Sequence, residues 1–329
     1  MKSVFLSEMG FAGKIPRNHP NMRTEFAWMC ALDAEHETIS KYENVSGYDH
    51  VFIILPKLRT SLSADATDMG KIDNPAAIFY SPKLIEELKK LNDKVYIIQE
   101  GPSWLFNDYE IEQQFNYINS LSSCDGVFVH NKIDEKFYKG ITYGQVPVNV
   151  IPTLMIEDLL PDGKTIKVED KTIIGGNFSR WYGGAQSFLV GRVFGNPLWT
   201  QTSHSTRPLE TGIENLNHLP RVSWIDWMKN VATYKYAVHL MPTVAAGTFS
   251  LNCAYYGIPC IGNKDVDTQN MCHPDLAVDV NDVESAIKLA IKLRDDKEFY
   301  ETCATMARFG YDEYFRESTW KEKMEKVLC

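Results

Sequence analysis

Long apolar runs are missing from this sequence of 329 residues. No stretch reaches the roughly 18 uninterrupted apolar residues that a membrane-spanning helix requires. The seven cysteines form no CxxC pair and no cysteine–histidine cluster at zinc-site spacing, which argues against a disulfide framework and a zinc module. Lys2 leads directly into a short apolar segment, so we expect no secretion signal. We therefore expect no membrane span, reduced thiols and a cytoplasmic location.

Two common nucleotide-binding motifs are also missing. The glycine pairs Gly175-Gly176 and Gly183-Gly184 do not form the dinucleotide-binding pattern GxGxxG, and no GxxxxGK[ST] phosphate loop occurs. Dehydrogenases and P-loop nucleotide hydrolases are therefore disfavoured.

Positive charge is scarce in the chain as a whole. The formal net charge is −9 at pH 7, which argues against a surface coated with basic residues for nonspecific nucleic-acid binding. Residues 171–221 reverse this balance, with five Lys and Arg residues against two acidic ones. A local basic groove is therefore compatible with the acidic total.

A regular alternation of strand-like and helix-like segments is present instead. It predicts an α/β protein with parallel sheets. Because a single core stops growing at about 250 to 300 residues, 329 residues fit two domains. We predict one Rossmann-like domain over residues 1–155, a second over 171–310 and a terminal helix over 311–329, with a turn-rich linker around Pro161-Asp162-Gly163.

Hydrophobic periodicity and turn residues predict the individual elements. In the first domain we expect strands at 4–6, 50–55, 95–99, 127–130 and 148–151, and helices at 24–36, 82–91, 111–122 and 134–138. In the second we expect strands at 172–175, 198–202, 236–241, 260–262 and 276–280, and helices at 184–193, 225–233 and 283–293, with another that ends near 256. Residues 296–328 predict two helices with a break near Phe309-Gly310.

Residues 236–263, YAVHLMPTVAAGTFSLNCAYYGIPCIGN, are the most informative segment. An apolar run predicts a buried strand that Pro242 ends, and the small residues 245–247 allow the backbone to approach a ligand. Thr248 or Ser250 is the expected N-cap of the helix that follows. The positive end of that helix and its unpaired amides would bind a phosphate. The alternative is an ordinary strand–helix connection that binds nothing.

This segment resembles the donor-binding core of nucleotide-sugar glycosyltransferases of the GT-B fold. The matching residues are Gly247, Thr248 and Phe249, followed after the helix by Gly257-Ile258-Pro259. The resemblance covers residues 175–282 by motif and the first domain by architecture. It implies two Rossmann-like domains with a cleft between them, a C-terminal crossover helix that returns to the first domain, and a nucleotide-sugar co-substrate, with a UDP-sugar expected.

The chain departs from that pattern at two positions. Many retaining members carry two glutamates eight positions apart, the second of which holds the ribose hydroxyls; the aligned residues here are Val244 and Asn252. Because an asparagine amide can still hydrogen-bond a ribose diol, we predict that contact for Asn252. The stereochemistry of transfer, retaining or inverting, stays open.

Arg180 lies in GGNFSRWYGG, between a predicted strand and a predicted helix. A guanidinium there would bind the diphosphate and stabilise the charge that builds on the nucleotide as the sugar leaves. In the resembling enzymes a basic residue after this strand has that role. The alternative is a surface arginine in a loop.

Glu100 follows a predicted strand of the first domain, in the turn QEGPSW. A carboxylate there could take a proton from an acceptor hydroxyl, the general-base step of an inverting transfer. Trp104, with Phe106 and Tyr109, could stack on a sugar or a base. A turn glutamate and core aromatic residues are the structural alternatives. His130 is a second candidate base, or a histidine satisfied at the sheet edge.

The loop EMGFAGKIPRNHP follows the first strand and contains glycine, proline and basic residues. We predict that it contacts the donor phosphate or the acceptor through Glu8, Lys14, Arg17 and His19. A surface loop without that role is the alternative. Asp265, Asp267 and Gln269 could hold sugar hydroxyls or a divalent metal; because no DxD motif lies in a hydrophobic context, we expect no metal and no cofactor besides the nucleotide-sugar.

These features predict a glycosyltransferase that moves a sugar from a nucleotide-sugar to an acceptor hydroxyl. The aromatic turn and local basic loops also resemble phage enzymes that attach glucose or arabinose to hydroxymethylcytosine in DNA. That resemblance implies double-stranded DNA containing hydroxymethylcytosine as the acceptor, and host cytoplasm as the location of a phage-encoded enzyme. Alternatives are a polysaccharide or cell-surface glycosyltransferase, a non-catalytic nucleotide-sugar-binding protein, and an epimerase.

Overall fold

The computed structural model describes most of the chain, namely residues 1–7, 9–19, 22–55, 82–99, 111–175, 182–201, 210, 212–220 and 222–329. It contains two compact units. The first unit comprises Met1–His19, Thr24–Pro152 and Lys321–Cys329, and the second is formed mainly by Thr153–Trp320.

The first unit is a Rossmann-like sheet of seven strands with helices between them. Its elements in chain order are β1 Ser3–Ser7, β2 Gly13–Lys14, α1 Glu25–Ala31, β3 Glu35–Thr38, β4 His50–Leu55, α2 Pro82–Leu91, β5 Lys94–Gln99, α3 Ile111–Ser123, β6 Gly126–Val129, α4 Lys132–Ile141 and β7 Val148–Val150. The strand order is β2-β3-β1-β4-β5-β6-β7, and every pairing is parallel except that of β2 with β3.

The period of two along the central strands gives this sheet two different faces. One face is aliphatic, with Val4, Leu6, Val51, Ile53, Val95, Ile97, Val127 and Val129 in one buried cluster. The other carries an aromatic row, in which ring centroids lie 4.7 Å apart for Phe5–Phe52, 5.4 Å for Phe52–Tyr96 and 5.2 Å for Tyr96–Phe128. Both faces are buried, as expected when helices cover both sides of a parallel sheet.

The second unit is a smaller parallel sheet followed by a run of helices. Its elements are β8 Glu169–Ile174, α5 Gly184–Gly191, β9 Leu198–Gln201, β10 Leu216–Leu219, α6 Trp224–Val231, β11 Tyr234–His239, α7 Thr248–Tyr255, β12 Cys260–Asn263, α8 Asp267–Cys272, β13 Ala277–Val278, α9 Val283–Asp295 and α10 Lys297–Tyr314. The last helix, α11 Glu317–Leu328, begins in this unit, and its residues from Lys321 onward belong to the first unit. The strand order is β10-β9-β8-β11-β12-β13. No helix among the described residues is long and apolar enough to cross a bilayer.

Several elements differ from the predictions. The helix expected at 24–36 ends at Ala31, and β3 follows. The sequence of β3, EHET, is polar, but His36 and Thr38 are buried because β3 lies between β2 and β1. The strand β10 and the helix α8 were missed because both are short. The last helix break lies at Phe315, because Gly310 continues α10 where it packs against the backbone of Met271.

Candidate functional site

The strand order of the second sheet reverses between β8 and β11. After β8 the chain adds β9 and β10 on one side, and then returns to place β11 on the other side of β8. Val238 of β11 pairs with Ile174 of β8, so the carboxyl ends of the two strands lie side by side. In open α/β sheets, ligands bind at the carboxyl ends of strands beside such a reversal.

Two helices begin at this edge, and a left-handed glycine caps each of them. Gly183 precedes α5 with φ 61° and ψ 30°, and Gly247 precedes α7 with φ 71° and ψ 25°. Within the described residues, neither helix has a side chain as its N-cap acceptor. The predicted caps, Thr248 and Ser250, were therefore wrong, because α7 begins at Thr248 itself. First-turn amides without a side-chain cap are the donors that bind anions at helix starts.

Both glycines also lie too close to neighbouring atoms to carry a side chain. A Cβ on Gly183 would come within 1.9 Å of the carbonyl oxygen of Leu240, and one on Gly247 within 2.0 Å of Oγ1 of Thr268. The amide of Leu240 in turn donates to Ser187 Oγ in α5, at 2.9 Å. The backbone that leaves β11 is thus bonded to one helix and packed closely against its glycine cap.

Buried hydroxyl groups orient the peptide that starts α7. Thr268 Oγ1 donates to the carbonyl oxygen of Gly247 at 2.8 Å, Ser250 Oγ contacts the same oxygen at 3.1 Å, and the two hydroxyls lie 2.8 Å apart. Because carbonyl and amide are trans across a peptide bond, the amide of Thr248 points the other way, out of the N-terminal end of the helix. The first turn of α7 contains no acidic side chain to compete with a bound anion.

Phe249 and Asn252 lie on the first turns of α7 and contact α6. The Phe249 ring is 6.2 Å from Trp227, between centroids. Asn252 is 2% exposed. In the amide orientation that gives both of its polar atoms a partner, the nitrogen donates to the Thr248 carbonyl at 3.0 Å and the oxygen accepts from Trp227 Nε1 at 2.8 Å. Ribose binding by Asn252 stays a prediction, and it would require the amide to exchange one of these partners.

His239, the last residue of β11, is a feature that the sequence reasoning missed. Its ring lies 4.8 Å from Phe249, between centroids, and over Gly175, whose added Cβ would come within 2.6 Å of His239 Cδ2. Burial lowers the pKa of His239 to about 4, so the ring is neutral at pH 7. The signal in the sequence is one polar residue inside the apolar run YAVHLM.

A buried histidine–glutamate pair lies at the carboxyl end of β6 in the first unit. His130 Nε2 is 3.2 Å from Glu25 Oε1, the first residue of α1, and its Nδ1 is 3.2 Å from the carbonyl oxygen of Ile151. The two side chains are 4% and 6% exposed. Both ring nitrogens therefore face acceptors, which an imidazolium satisfies with two N–H donors.

The pKa values of this pair follow from burial opposed by mutual attraction. Burial alone would lower the pKa of His130, but the hydrogen bond to Glu25 and its charge outweigh burial and raise the pKa. Burial alone would raise the pKa of Glu25, but the hydrogen bond and charge of His130 lower it. The pair is therefore ionised, and His130 is held by partners on both nitrogens. Glu25 was not predicted, because 105 residues separate it from His130.

Two of the predicted contact residues of the first loop, Lys14 and Arg17, lie together, and His19 lies apart from them. Lys14 belongs to β2, opposite Glu35 at the start of β3, and pairs with Asp33 at 2.5 Å. Lys14 and Arg17 line a cavity of about 310 Å³ at the C-terminal end of α1. The ring of His19 instead stacks on Phe26, near the N-terminal end of α1, at 4.9 Å between centroids.

Comparison with solved structures identifies the architecture. No family model and no curated protein matches the sequence. Sucrose-phosphate synthase from Thermosynechococcus elongatus is 11% identical with a TM-score of 0.67, over 99% of this chain and 98% of that one. An alpha-glucosyltransferase in complex with UDP and a 13-mer DNA containing an HMU base is 12% identical with a TM-score of 0.61, over 99% of both chains. This chain has the GT-B fold.

A third GT-B structure matches over part of its length. TarM of S. aureus, in complex with UDP and alpha-GlcNAc-glycerol among its ligands, is 10% identical with a TM-score of 0.62 over 84% of this chain. The match covers 55% of TarM, so this chain spans about half the length of that protein. The predicted resemblance to GT-B glycosyltransferases and the predicted α/β fold of two Rossmann-like domains are confirmed as statements about the fold.

Several predicted site residues of the GT-B chain lie outside the described residues. They are Glu8, Glu100, Trp104 and Arg180, and their roles stay predictions. Of the residues considered for sugar or metal contacts, Gln269 is buried and donates to the carbonyl of Cys260 at 2.7 Å. Among the residues that the structure covers, no group of three metal-ligating side chains occurs.

Proposed function

We propose that the chain is a glycosyltransferase whose nucleotide-sugar donor places its diphosphate at the starts of α5 and α7. The observation that carries this proposal is the pair of glycine-capped helix N-termini beside the reversal of strand order between β8 and β11. Two helix starts with uncapped first-turn amides supply several N–H donors and positive partial charge to one anion.

In this proposal the backbone carries most of the diphosphate binding. Gly247 and Thr248 present first-turn amides, while Phe249 and Asn252 shape the wall beside them. Arg180 precedes the Gly183 cap by three positions and supplies a bidentate guanidinium. Charge builds on the diphosphate as the sugar leaves, so donors already aimed at it stabilise the transition state.

The first unit is proposed to bind the acceptor. Glu100 directly follows β5 and would act as the general base that takes the proton of the acceptor hydroxyl, giving direct displacement. Glu8, Lys14, Arg17, His19 and Trp104 are the proposed acceptor contacts. Because His130 is protonated and each of its ring nitrogens faces an acceptor, it cannot take a further proton, which leaves Glu100 as the better candidate base.

We propose a UDP-sugar as the donor and hydroxymethylpyrimidine DNA as the acceptor. Several structures with the same fold contain UDP or UDP-glucose, and two of them are complexes of an alpha-glucosyltransferase with DNA. These structures are 10 to 12% identical to the chain, and they indicate which donor and acceptor to test first. The alpha-GlcNAc-glycerol bound in the TarM structure supports a polyol hydroxyl as the second acceptor class to test.

The test is binding followed by transfer. Calorimetry should find UDP binding at micromolar to millimolar affinity, with adenosine and guanosine diphosphates weaker. Transfer is then measured by mass spectrometry on duplexes that contain hydroxymethylcytosine or hydroxymethyluracil, with unmodified duplex as the control. Absence of affinity for every nucleoside diphosphate would refute the donor site. UDP binding with transfer only to a non-DNA acceptor would refute the DNA acceptor alone.

A further inference from the structure

His239 stands at the edge where the two helices α5 and α7 begin. It is the last residue of β11, which is a central strand of the second sheet, and its ring lies over Gly175, the residue that directly follows β8. The amide of Gly175 donates to the carbonyl of Val238 at 2.8 Å, so the pairing of the two strands continues up to His239. The imidazole therefore stands beside the proposed diphosphate position on rigid backbone.

Packing on both sides holds the ring in one place. Gly175 leaves room for the imidazole, since an added Cβ would come within 2.6 Å of Cδ2 and 2.7 Å of Cγ. Phe249, the second residue of α7, packs on the ring at 4.8 Å between centroids, with the planes inclined by 56°. A side chain held this way loses little entropy when a ligand binds.

The Nε2 atom of His239 is shielded from solvent and has no hydrogen-bond partner among the residues that the structure describes. His50 Nδ1 and His273 Nδ1 likewise have no partner among the described residues, whereas two buried histidines of the first unit differ. His36 contacts Ser7 Oγ and the carbonyl of Phe11, and His130 contacts Glu25 and the carbonyl of Ile151, so each uses both nitrogens. Leaving a buried polar atom without a partner is costly and is uncommon in native proteins.

We propose that His239 is a donor-binding residue whose Nε2–H group donates a hydrogen bond to a phosphate oxygen of the bound nucleoside diphosphate. This inference rests on the proposed function. The phosphate is the expected partner because the first-turn amides of α5 and α7 draw an anion to this edge. A neutral imidazole carries one N–H, and a nearby anion favours the tautomer that has the proton on the nitrogen facing it.

Two substitutions of His239 test the contact, with UDP and uridine as the probes. His239→Leu removes the donor and should weaken UDP binding about tenfold, the effect of one hydrogen bond to a charged group, with uridine affinity unchanged. His239→Gln places an amide N–H near the position of Nε2 and should keep UDP affinity within about threefold of the unsubstituted protein. Equal losses for UDP and uridine in His239→Leu would overturn the inference, because a phosphate contact cannot affect uridine.

His273→Gln is the matched control. His273 is also buried in the second unit, with its pKa likewise lowered to about 4 by burial, but its Nε2 contacts the carbonyl of Ser250 behind α7. Its substitution should change thermal stability and leave UDP affinity within about twofold. Thermal unfolding of all variants identifies any that fail to fold, and only folded variants are titrated.

Nitrogen NMR of the unsubstituted protein, labelled at histidine, gives a second measurement that does not depend on substitution. Addition of UDP should shift the Nε2 resonance of His239 and leave that of His273 in place, whereas uridine should move neither. If the protein binds no nucleoside diphosphate at all, the proposed function fails. If it binds UDP with a static His239 resonance and an unchanged His239→Leu affinity, this inference alone fails.

Discussion

The two Rossmann-like units treat the carboxyl ends of their strands in opposite ways. In the first unit, polar side chains at these ends bond to one another. Glu25, in the first turn of α1, pairs with His130, and Ser7 pairs with His36. In the second unit, a glycine caps α7, the first turn of that helix has no acidic residue, and His239 Nε2 has no partner among the described residues. A helix start neutralised by its own carboxylate has little attraction for an anion, whereas an uncapped one retains it. The comparison therefore favours the second unit as the diphosphate site.

The largest expected effect is on the buried pair of the first unit. Glu25→Gln leaves an uncompensated imidazolium and should lower the free energy of unfolding by about 3 to 5 kcal/mol, measured by urea denaturation. Glu135→Gln, which breaks the exposed Glu135–Lys139 pair on α4, should cost less than about 0.5 kcal/mol. Comparable losses in the two variants would show that the Glu25–His130 pair is not the charged, buried contact described here.

The glycine cap of the second unit should respond next most strongly. Gly247→Ala adds left-handed strain and a contact with Thr268 Oγ1, so we expect a loss of about 2 kcal/mol or more in stability and at least about tenfold in UDP affinity. Gly195→Ala is the matched control, because Gly195 has a similar φ of 68° and no atom within 4 Å of an added Cβ. It should cost about 1 kcal/mol and leave UDP affinity unchanged. Calorimetry that finds the two variants equal in UDP affinity would contradict the assignment of the α7 start.

Stability should also depend on pH through the Glu25–His130 pair. The raised pKa of His130 contributes stability that is full below its ordinary value of 6.5 and is lost as pH rises through the raised value. The lowered pKa of Glu25 contributes stability that is full above its ordinary value of 4.5 and is lost as pH falls through the lowered value. The thermal stability gained over the double variant Glu25→Gln/His130→Asn should therefore be greatest between pH 4.5 and 6.5. A gain that is constant from pH 4 to 9 would argue against an ionised pair.

The smallest expected effect concerns the hydroxyl that orients the α7 cap. Thr268→Val keeps the shape and removes the hydrogen bond to the Gly247 carbonyl, so UDP affinity should fall about threefold. Thr305→Val removes a hydroxyl bonded to the Glu301 carbonyl on an exposed part of α10 and serves as the control. If both variants bind UDP like the unsubstituted protein, the orientation of the Gly247 peptide does not depend on Thr268.

Local sequence signals correctly predicted those elements whose boundaries are set by residues close to them in the sequence. The helix Pro82–Leu91 and the strand His50–Leu55 were predicted at the observed bounds, because proline, apolar periodicity and a continuous apolar run mark them. The strand β3 was missed because EHET is polar, and its place in the sheet depends on pairing with β1. The small residues before Gly247 predicted close backbone approach, although they did not identify the glycine itself as the cap.

The sequence by itself determined the alternating α/β plan, the two-domain size and the small-residue loop before α7, because these depend on composition, periodicity and residue size. Only the tertiary structure decided that β8 and β11 are neighbours, that α5 and α7 begin at the same edge of the sheet, and that Glu25 meets His130. Those facts depend on strand order and on contacts between residues far apart in the chain, and a single sequence carries no local signal for either. The sequence shows His239 as a polar residue in an apolar run, and only the fold shows that its Nε2 atom has no partner among the described residues.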